Sequence, residues 1–242
     1  MTTPPPYNPS DYTTPQGQTY MVTPMVSKVM RKTFGWMTMC LLITALTAMG
    51  VVNSGLFYQI ASSGAMWLLI IAELVLVFVL SARINKMSVT TATVMLIVYS
   101  VLNGATLSFI FLAYSLGSIA KTFFITTGMF GVMALVGATT KRDLSKMGSI
   151  LMMALIGLII ASLVNIFLRS SGFDWIISII GVVLFTALTA YDVQRVKRLA
   201  TASDLYDDTQ VGRLAIISAL SLYLDFINLF LYLLRFFGRN DG

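Results

Sequence analysis

The chain has 242 residues, of which 57% are hydrophobic and 11% are charged, and its mean hydropathy is +0.84. An ordinary soluble domain carries about 25% charged residues. The composition therefore excludes a soluble globular domain and predicts an integral membrane protein.

The first 24 residues differ from the rest of the chain, because they hold all six prolines and are rich in threonine and tyrosine. Such a segment cannot bury a core, so we expect residues 1–24 to form a disordered cytoplasmic tail. The segment lacks the apolar stretch of a cleavable signal peptide, and the first span is expected to act as an uncleaved anchor. Residues 25–242 are predicted to form the transmembrane domain.

Seven apolar runs follow the tail, each long enough to approach the roughly 20 helical residues that cross a bilayer. None of them alternates apolar and polar residues in the manner of a transmembrane barrel strand. Short turns join the runs, so we expect an all-α integral membrane protein with seven transmembrane helices in one bundle. The runs are 34–52, 66–82, 90–112, 123–139, 147–168, 175–193 and 214–237.

The basic residues predict the orientation, because Lys and Arg prefer the cytoplasmic side of a membrane. With the N-terminus inside, twelve of the sixteen Lys and Arg residues lie in cytoplasmic segments. We therefore expect a cytoplasmic N-terminus and a C-terminus on the outer side. This distribution also explains the net charge of +6, so no nucleic-acid partner is expected.

The chemistry available inside the membrane is narrow, because the chain has no histidine and a single cysteine, Cys40. The lack of histidine excludes His-based zinc sites, serine–histidine nucleophile pairs and imidazole proton relays. Cys40 lies in the first span and is interpreted as a packing residue. We expect no tightly bound cofactor, and carboxylates remain as the groups that can carry chemistry.

Three of the ten acidic residues lie within the predicted spans: Glu73, Asp192 and Asp225. A charged aspartate at the middle of a bilayer costs about 2.5 to 3.5 kcal/mol on insertion scales. Such residues usually face the interior of the bundle and mark a path for ions or protons.

The seventh span carries a polar stripe, since its polar residues are separated by three or four positions and so share one helix face. The residues are Ser218, Ser221, Asp225, Asn228 and Tyr232. For Ser218 and Asn228 we favour simple interhelical hydrogen bonding, worth about 0.6 kcal/mol each. For Asp225 we favour a functional role, because an amide would offer similar hydrogen bonds without the cost of ionisation.

The sixth span places Thr186, Thr189 and Asp192 three residues apart. Asp192 could instead lie at the membrane interface and pair with Arg195. From the helix rise, Asp192 lies about 26 Å beyond the start of its run, and Asp225 about 17 Å beyond the start of the next one. The two aspartates therefore meet only if the seventh helix begins before its apolar run.

Several sequence motifs resemble the Bax inhibitor family in its bacterial branch. They are "GWMT" at Gly35, "VLSARINKMS" at Val79, "TTKRDLS" at Thr139, "TALTAYDVQRVKR" at Thr186 and "LYLDFINLFLYLLR" at Leu222. They occur in order from about Tyr20 onward and are specific to the family. The resemblance implies a seven-helix fold with the last helix in the centre.

The resemblance also implies a function, which is a pH-sensitive calcium leak across the bacterial inner membrane, with Ca²⁺ and protons as partners. Asp192 and Asp225 match two aspartates that share a proton and that would contact Ca²⁺ transiently. Arg83 matches a basic residue that latches the pore by pairing with Asp192. Glu73 and Asn228 are further candidates for the ion pathway.

Two alternatives of other classes remain open. The first is an intramembrane aspartyl protease, which also has two aspartates on consecutive helices, the first in a Tyr-Asp pair such as Tyr191 and Asp192. The Gly-x-Gly-Asp sequence of those enzymes is missing at Asp225, so we expect no enzyme. The second is a regulatory protein that binds a membrane protease or a cell-death factor.

Overall fold

The computed structural model describes residues 15–202 and 207–238, and in this part of the chain every regular element is a helix. A short 3-10 turn, Ile84–Lys86, follows the third helix. The α-helices are α1 (Pro15–Ser54), α2 (Leu56–Ser62), α3 (Ala65–Arg83), α4 (Val89–Leu107), α5 (Ile110–Ala113), α6 (Leu116–Thr139), α7 (Ser145–Leu168), α8 (Ser171–Ala202) and α9 (Asp208–Phe237).

Seven of these helical segments are long and apolar enough to cross a membrane, which confirms the predicted all-α class and the number of spans. They are Met25–Ser54, Ala65–Lys86, Val89–Ala113, Leu116–Thr139, Ser145–Leu168, Ser171–Thr201 and Asp208–Phe237. The predicted tail falls partly on residues 1–14, which lie outside the described residues, and partly on the start of α1. Its boundary at residue 24 stays a prediction.

The connection between the first two spans contains α2, which the apolar pattern did not predict. Gly55 precedes α2 and Gly64 precedes α3, and both have a φ angle of 72°. This left-handed conformation is favourable for glycine and strained for most other residues. The two glycines therefore let the chain change direction before each helix.

The last helix is the most buried of the seven spans. In α9, 67% of the membrane-spanning window is buried inside the bundle, against 6% in α3. Helices α1, α4, α6 and α8 pack directly around α9, whereas α3 packs mainly on α4, and α7 mainly on α8. The last helix is thus central as expected, but α3 and α7 form an outer layer.

Small residues allow several helices to cross at backbone contact, as is common in membrane bundles. A side-chain carbon at Gly104 of α4 would lie 2.6 Å from the carbonyl oxygen of Thr44 in α1. A side chain at Gly137 of α6 would collide with the backbone of Ala190 in α8. These crossings hold α1 against α4 and α8 against α6.

At one end of the bundle, α1, α8 and α9 extend beyond their apolar runs and pack on one another. Val29, Val196, Ala200 and Val211 form a small buried cluster there. Beside the cluster, Lys28 of α1 and Asp208 at the start of α9 form an ion pair of 2.5 Å. These contacts stabilise an α9 that begins six residues before its predicted run.

Candidate functional site

The carboxyl groups of Asp192 on α8 and Asp225 on α9 are in polar contact inside the bundle. Asp192 is 8% exposed and Asp225 is 4% exposed, so both lie away from bulk water. The two helices pack side by side in opposite directions, which brings the sixth and seventh spans together at this level. The structure therefore brings together the two residues that the family resemblance pairs.

The early start of α9 explains why the two aspartates meet. Counted from Asp208, Asp225 lies about 26 Å along α9, instead of the about 17 Å counted from the start of its apolar run. The added length, about 9 Å, lies at the end of the bundle where α8 also extends beyond its run, to Ala202, so the apolar runs do not fix the relative depth of the two aspartates. The extension of α9 before its apolar run, which the contact requires, is thus present.

The surroundings of the two carboxyl groups differ. Asp192 makes a polar contact with the Ser221 hydroxyl and has the Arg195 guanidinium as its nearest positive charge. Asp225 has a buried oxygen, Oδ2, that finds no hydrogen-bond partner among the described residues. A buried carboxylate oxygen without a donor is costly, so this position favours a proton or a cation.

A cavity of about 340 Å³ lies beside the pair, between α7, α8 and α9. Most of its wall is apolar, and its polar lining consists of Tyr191, Asp192, Arg195, Ser221, Asp225, Asn228 and Tyr232.

A smaller cavity of about 70 Å³ lies between α8 and α9, nearer the start of α9. Ser218 and Leu199 belong to its wall. Asp192, Arg195 and Ser221 line both cavities. Asp192 thus stands at the partition between the two spaces, and Asp225 lines the larger one.

At its other end, the larger cavity is closed by aromatic rings. The ring of Tyr232 stacks on that of Phe185, with ring centres 5.8 Å apart. One helical turn further out, Arg235 forms an ion pair of 3.2 Å with Asp174. Passage from the cavity toward this end of the bundle would require these rings to separate.

Three polar side chains of the two helices form hydrogen bonds within their own helix. The Asn228 side chain lines the larger cavity and donates a hydrogen bond of 2.8 Å from its nitrogen to the carbonyl of Leu224. The hydroxyls of Thr186 and Thr189 donate to carbonyls one turn earlier in α8.

Arg83 does not accompany the aspartate pair in this structure. It lies exposed at the end of α3 and lines neither of the two cavities. Among the described residues the ion pairs are Lys28–Asp208, Arg198–Asp143 and Arg235–Asp174, and Arg83 belongs to none of them. A latch formed by Arg83 stays a prediction for another state of the protein.

Glu73 takes part in a separate polar network on the other side of α9. Its carboxylate accepts hydrogen bonds from Asn103, at 3.1 Å, and from Thr106, at 2.5 Å. The Tyr223 hydroxyl donates to the side-chain oxygen of Asn103, Oδ1, at 2.9 Å and lies 2.7 Å from the hydroxyl of Thr44. The network links α1, α3, α4 and α9, and the structure does not connect it to the aspartate cavity.

Sequence reasoning missed Tyr223, which is fully buried at the centre of this network. Tyr223 was missed because the expected site consisted of acidic residues and one polar stripe, and Tyr223 belongs to neither. A usable signal was present, since Asn103 lies in an apolar run and an amide there needs partners from neighbouring helices.

The chemistry of the site allows only weak metal coordination by carboxylates. In the part of the chain that the structure describes, no group of three or more Asp, Glu or Cys side chains is placed to hold a metal ion. Two aspartates fall short of the six to eight oxygen ligands of a tight calcium site.

These features define a polytopic α-helical membrane protein with a buried carboxyl pair between its last two helices. The chain belongs to the Bax inhibitor family, since the family model described as "Inhibitor of apoptosis-promoting Bax1" matches residues 26–242. This confirms the family predicted from the sequence motifs.

Curated bacterial relatives cover most of the chain. The "Inner membrane protein YbhL" of Escherichia coli strain K12 is 49% identical over 212 residues, which are 87% of this chain and 91% of that protein. An uncharacterized protein of Borreliella burgdorferi is 50% identical over 220 residues, 89% of this chain and 94% of its own. The Rickettsia prowazekii protein RP147, also uncharacterized, is 40% identical over 88% of this chain and 89% of its own.

Proposed function

We propose that the protein is a pH-sensitive leak channel for calcium and related cations, gated by a proton shared between Asp192 and Asp225. The observation that carries the proposal is the contact between these two buried carboxyl groups. Two carboxylates in contact do not easily ionise together, so one shared proton would hold the pair.

Loss of the shared proton leaves two negative charges in contact. The repulsion between them would drive α8 and α9 apart unless a cation came between the carboxylates. Ca²⁺ prefers carboxylate, carbonyl and hydroxyl-type oxygen ligands, and Ser221 and Asn228 add oxygens near the pair. The protonation state of the pair therefore sets whether a cation can occupy the partition.

The two cavities support a path that passes the pair, because Asp192 lines both of them and Asp225 lines the larger one. Weak coordination suits such a path, since conduction requires an ion to leave its site as readily as it enters. The path would be closed in this structure at the Phe185–Tyr232 stack. In this scheme Arg83 acts as the latch when it reaches Asp192, and Glu73 stays a candidate for a separate part of the pathway.

We also propose a location in the bacterial inner membrane, with the N-terminus in the cytoplasm and the C-terminus outside. The name of the Escherichia coli relative supports the membrane, and the distribution of basic residues supports the orientation. The partners are then the lipid bilayer, calcium ions and protons. The protein acts without a tightly bound cofactor and is not an enzyme.

A regulatory role is the second candidate, and the family description, which names inhibition of an apoptosis-promoting factor, favours it. In that role the protein would bind a membrane protease or a cell-death factor. An intramembrane aspartyl protease is a third reading of the same carboxyl pair. The three functions differ in what purified protein does in a lipid vesicle.

The test is calcium entry into liposomes that contain the purified protein, measured from about pH 6 to about pH 8. We expect an entry rate that exceeds that of empty liposomes and changes with pH. Vesicles carrying a transmembrane peptide substrate serve as the arm for proteolysis. Absence of calcium entry with folded protein would overturn the channel, and peptide cleavage would favour the protease.

A further inference from the structure

A third cavity, of about 470 Å³, lies at the end of the bundle where α6 ends, α7 begins and α8 approaches its last turns. It is formed by the α6–α7 connection and one face of α8. Its lining residues are Thr140, Lys141, Arg142, Asp143, Gln194, Lys197, Arg198 and Thr201. The cavity is separate from the aspartate pair and has no part in the proposed channel.

Hydrogen bonds made by two side chains of α8 fix the shape of this cavity. Gln194 is 7% exposed, and its amide donates to the carbonyl of Arg142 at 2.7 Å. Its side-chain oxygen accepts from the backbone N–H of Leu144 at 2.8 Å. The ammonium group of Lys197 donates to the carbonyl of Ala138 at 2.8 Å. The Gln194 side chain thus binds the α6–α7 connection through both its nitrogen and its oxygen. These bonds give the basic residues a defined arrangement.

The charge of the cavity is strongly positive. Its lining has four cationic side chains and one carboxylate, Asp143, which forms an ion pair of 2.8 Å with Arg198. Lys141 and Arg142 are exposed and form no ion pair among the described residues. Lys197 finds a carbonyl and no carboxylate. Within the described part of the chain, three of the four positive charges thus have no carboxylate partner.

We propose that this cavity binds the phosphate group of an anionic phospholipid. Guanidinium and ammonium groups are the side chains that recognise phosphate oxygens, by forked hydrogen bonds and by charge. Basic pockets between transmembrane helices at the cytoplasmic surface are typical sites for anionic headgroups. The sequence explained these basic residues only as a signal for the orientation of the protein in the membrane. Such a signal depends on how many basic residues lie on one side and does not require them to form a pocket.

The surroundings favour a lipid over a free phosphate ion. The cavity lies at the ends of three membrane-spanning segments, where lipid headgroups would be within reach. Beside it, Leu135 of α6 is 66% exposed and Met147 of α7 is 43% exposed. These side chains offer an apolar surface on which acyl chains can lie while the headgroup occupies the cavity.

The test uses the purified full chain in detergent, with native mass spectrometry to measure the binding of phosphatidylglycerol against phosphatidylcholine. We expect phosphatidylglycerol to bind more tightly, and the Lys141→Gln/Arg142→Gln variant to lose about tenfold or more of that affinity, because each basic group near a lipid surface contributes substantially. The matched control is Arg31→Gln/Lys86→Gln, which removes the same two charge types outside the cavity. We expect this control to bind as the wild type does.

Two further arms complete the test. Asp143→Asn removes the one carboxylate of the cavity and should tighten phosphatidylglycerol binding, a gain that a folding defect would not produce. Inorganic phosphate is added as a competitor, and displacement of the lipid by phosphate at equal concentration would overturn the lipid assignment in favour of a soluble anion. Equal losses in the cavity variant and in the matched control would overturn the site itself.

Discussion

The ring of Tyr232 on α9 occupies the space beside Gly181 of α8 where a side chain would have to lie. A side-chain carbon at position 181 would lie 2.6 Å from Cγ and Cδ2 of that ring. These are atoms near the base of the tyrosine side chain, so a small rotation does not remove the collision. Gly181 therefore permits the Phe185–Tyr232 stack that closes the larger cavity.

We predict that Gly181→Ala destabilises the protein by about 1 to 3 kcal/mol, which is the usual cost of overpacking. Tyr232→Ala in the same chain should recover part of this loss, because it frees the space next to position 181. The measurement is the unfolding temperature of the single and double variants in detergent. Gly157→Ala in α7 is the matched control, since nothing lies within 4 Å of its added carbon.

A Gly181→Ala variant as stable as the Gly157→Ala control would contradict this packing. A double variant less stable than expected from the two single changes would do the same, because the two residues would then not compete for one space.

We next predict that Arg83→Ala raises the resting calcium leak, because a latch on Asp192 would be lost. Arg195 is the cation beside Asp192 in this structure, so Arg195→Ala should shift the pH dependence of the leak. Both are measured as calcium entry into liposomes, with Lys86→Ala as a control that removes a nearby positive charge. Equal resting leak in wild type and Arg83→Ala would remove Arg83 from the mechanism and leave Arg195 as the relevant cation.

The Tyr223 network predicts a structural effect without a change in gating. Tyr223→Phe removes the hydroxyl shared by Asn103 and Thr44, and we expect a loss of about 1 to 2 kcal/mol of stability from these interhelical hydrogen bonds. The pH profile of calcium entry should stay as in the wild type, because the hydroxyl lies away from the aspartate cavity. Thermal unfolding and the liposome assay on one preparation measure both. A changed pH profile would show that the network is coupled to the pair.

Asp143 lies outside the membrane-spanning segments, and we expect it to make a pH-dependent contribution to the free energy of unfolding. Hydrogen bonds from the Ser145 side chain and backbone, and then from Arg198, lower the pKa of its carboxyl. Because the pKa of this carboxyl is lower in the folded state than in the unfolded state, its ionised form stabilises the fold at pH values above the unfolded-state pKa. This contribution is lost as the pH falls through the folded-state pKa. The stability difference between wild type and Asp143→Asn should therefore shrink from about pH 6 to about pH 3.

The effect at Asp143 will be small because the residue is exposed and water screens the pair. Ser145→Ala is a useful comparison, since it removes the largest cause of the lowered pKa and should reproduce part of the Asp143→Asn result. A stability difference that does not depend on pH would contradict the assignment.

Much of the fold follows from the sequence, because length and hydrophobicity decide which segments cross a membrane. The number of spans and the family were predicted correctly. The start of α9 was not, because Asp208 and its ion pair with Lys28 lie outside the apolar run that defined the span, whereas its end at Phe237 was. The short helix α2 was also missed, since it depends on two glycine turns and carries no long apolar pattern.

The residues of the candidate site and their pairing were expected from the sequence, but the geometry that permits their contact was not. Asp192 and Asp225 stood out because carboxylates are costly in a membrane, and the family resemblance pairs them. Their contact depends on where α9 begins. Arg195 lies beside Asp192 because it follows three residues later on the same helix, whereas the exposed position of Arg83 depends on how α3 packs. The Tyr223 network and the basic cavity need the relative positions of several helices, which a pattern along one helix does not contain.

The most direct test of the shared proton is calcium entry in four proteins: wild type, Asp192→Asn, Asp225→Asn and the double variant, from about pH 6 to about pH 8. Asp174→Asn, at the far end of α8, controls for the loss of one carboxylate. We predict that each single variant loses the pH dependence and that the double variant adds nothing further, because two residues that share one proton act as a unit. Independent, additive effects of the two substitutions, or an unchanged pH profile in folded single variants, would contradict gating by the pair.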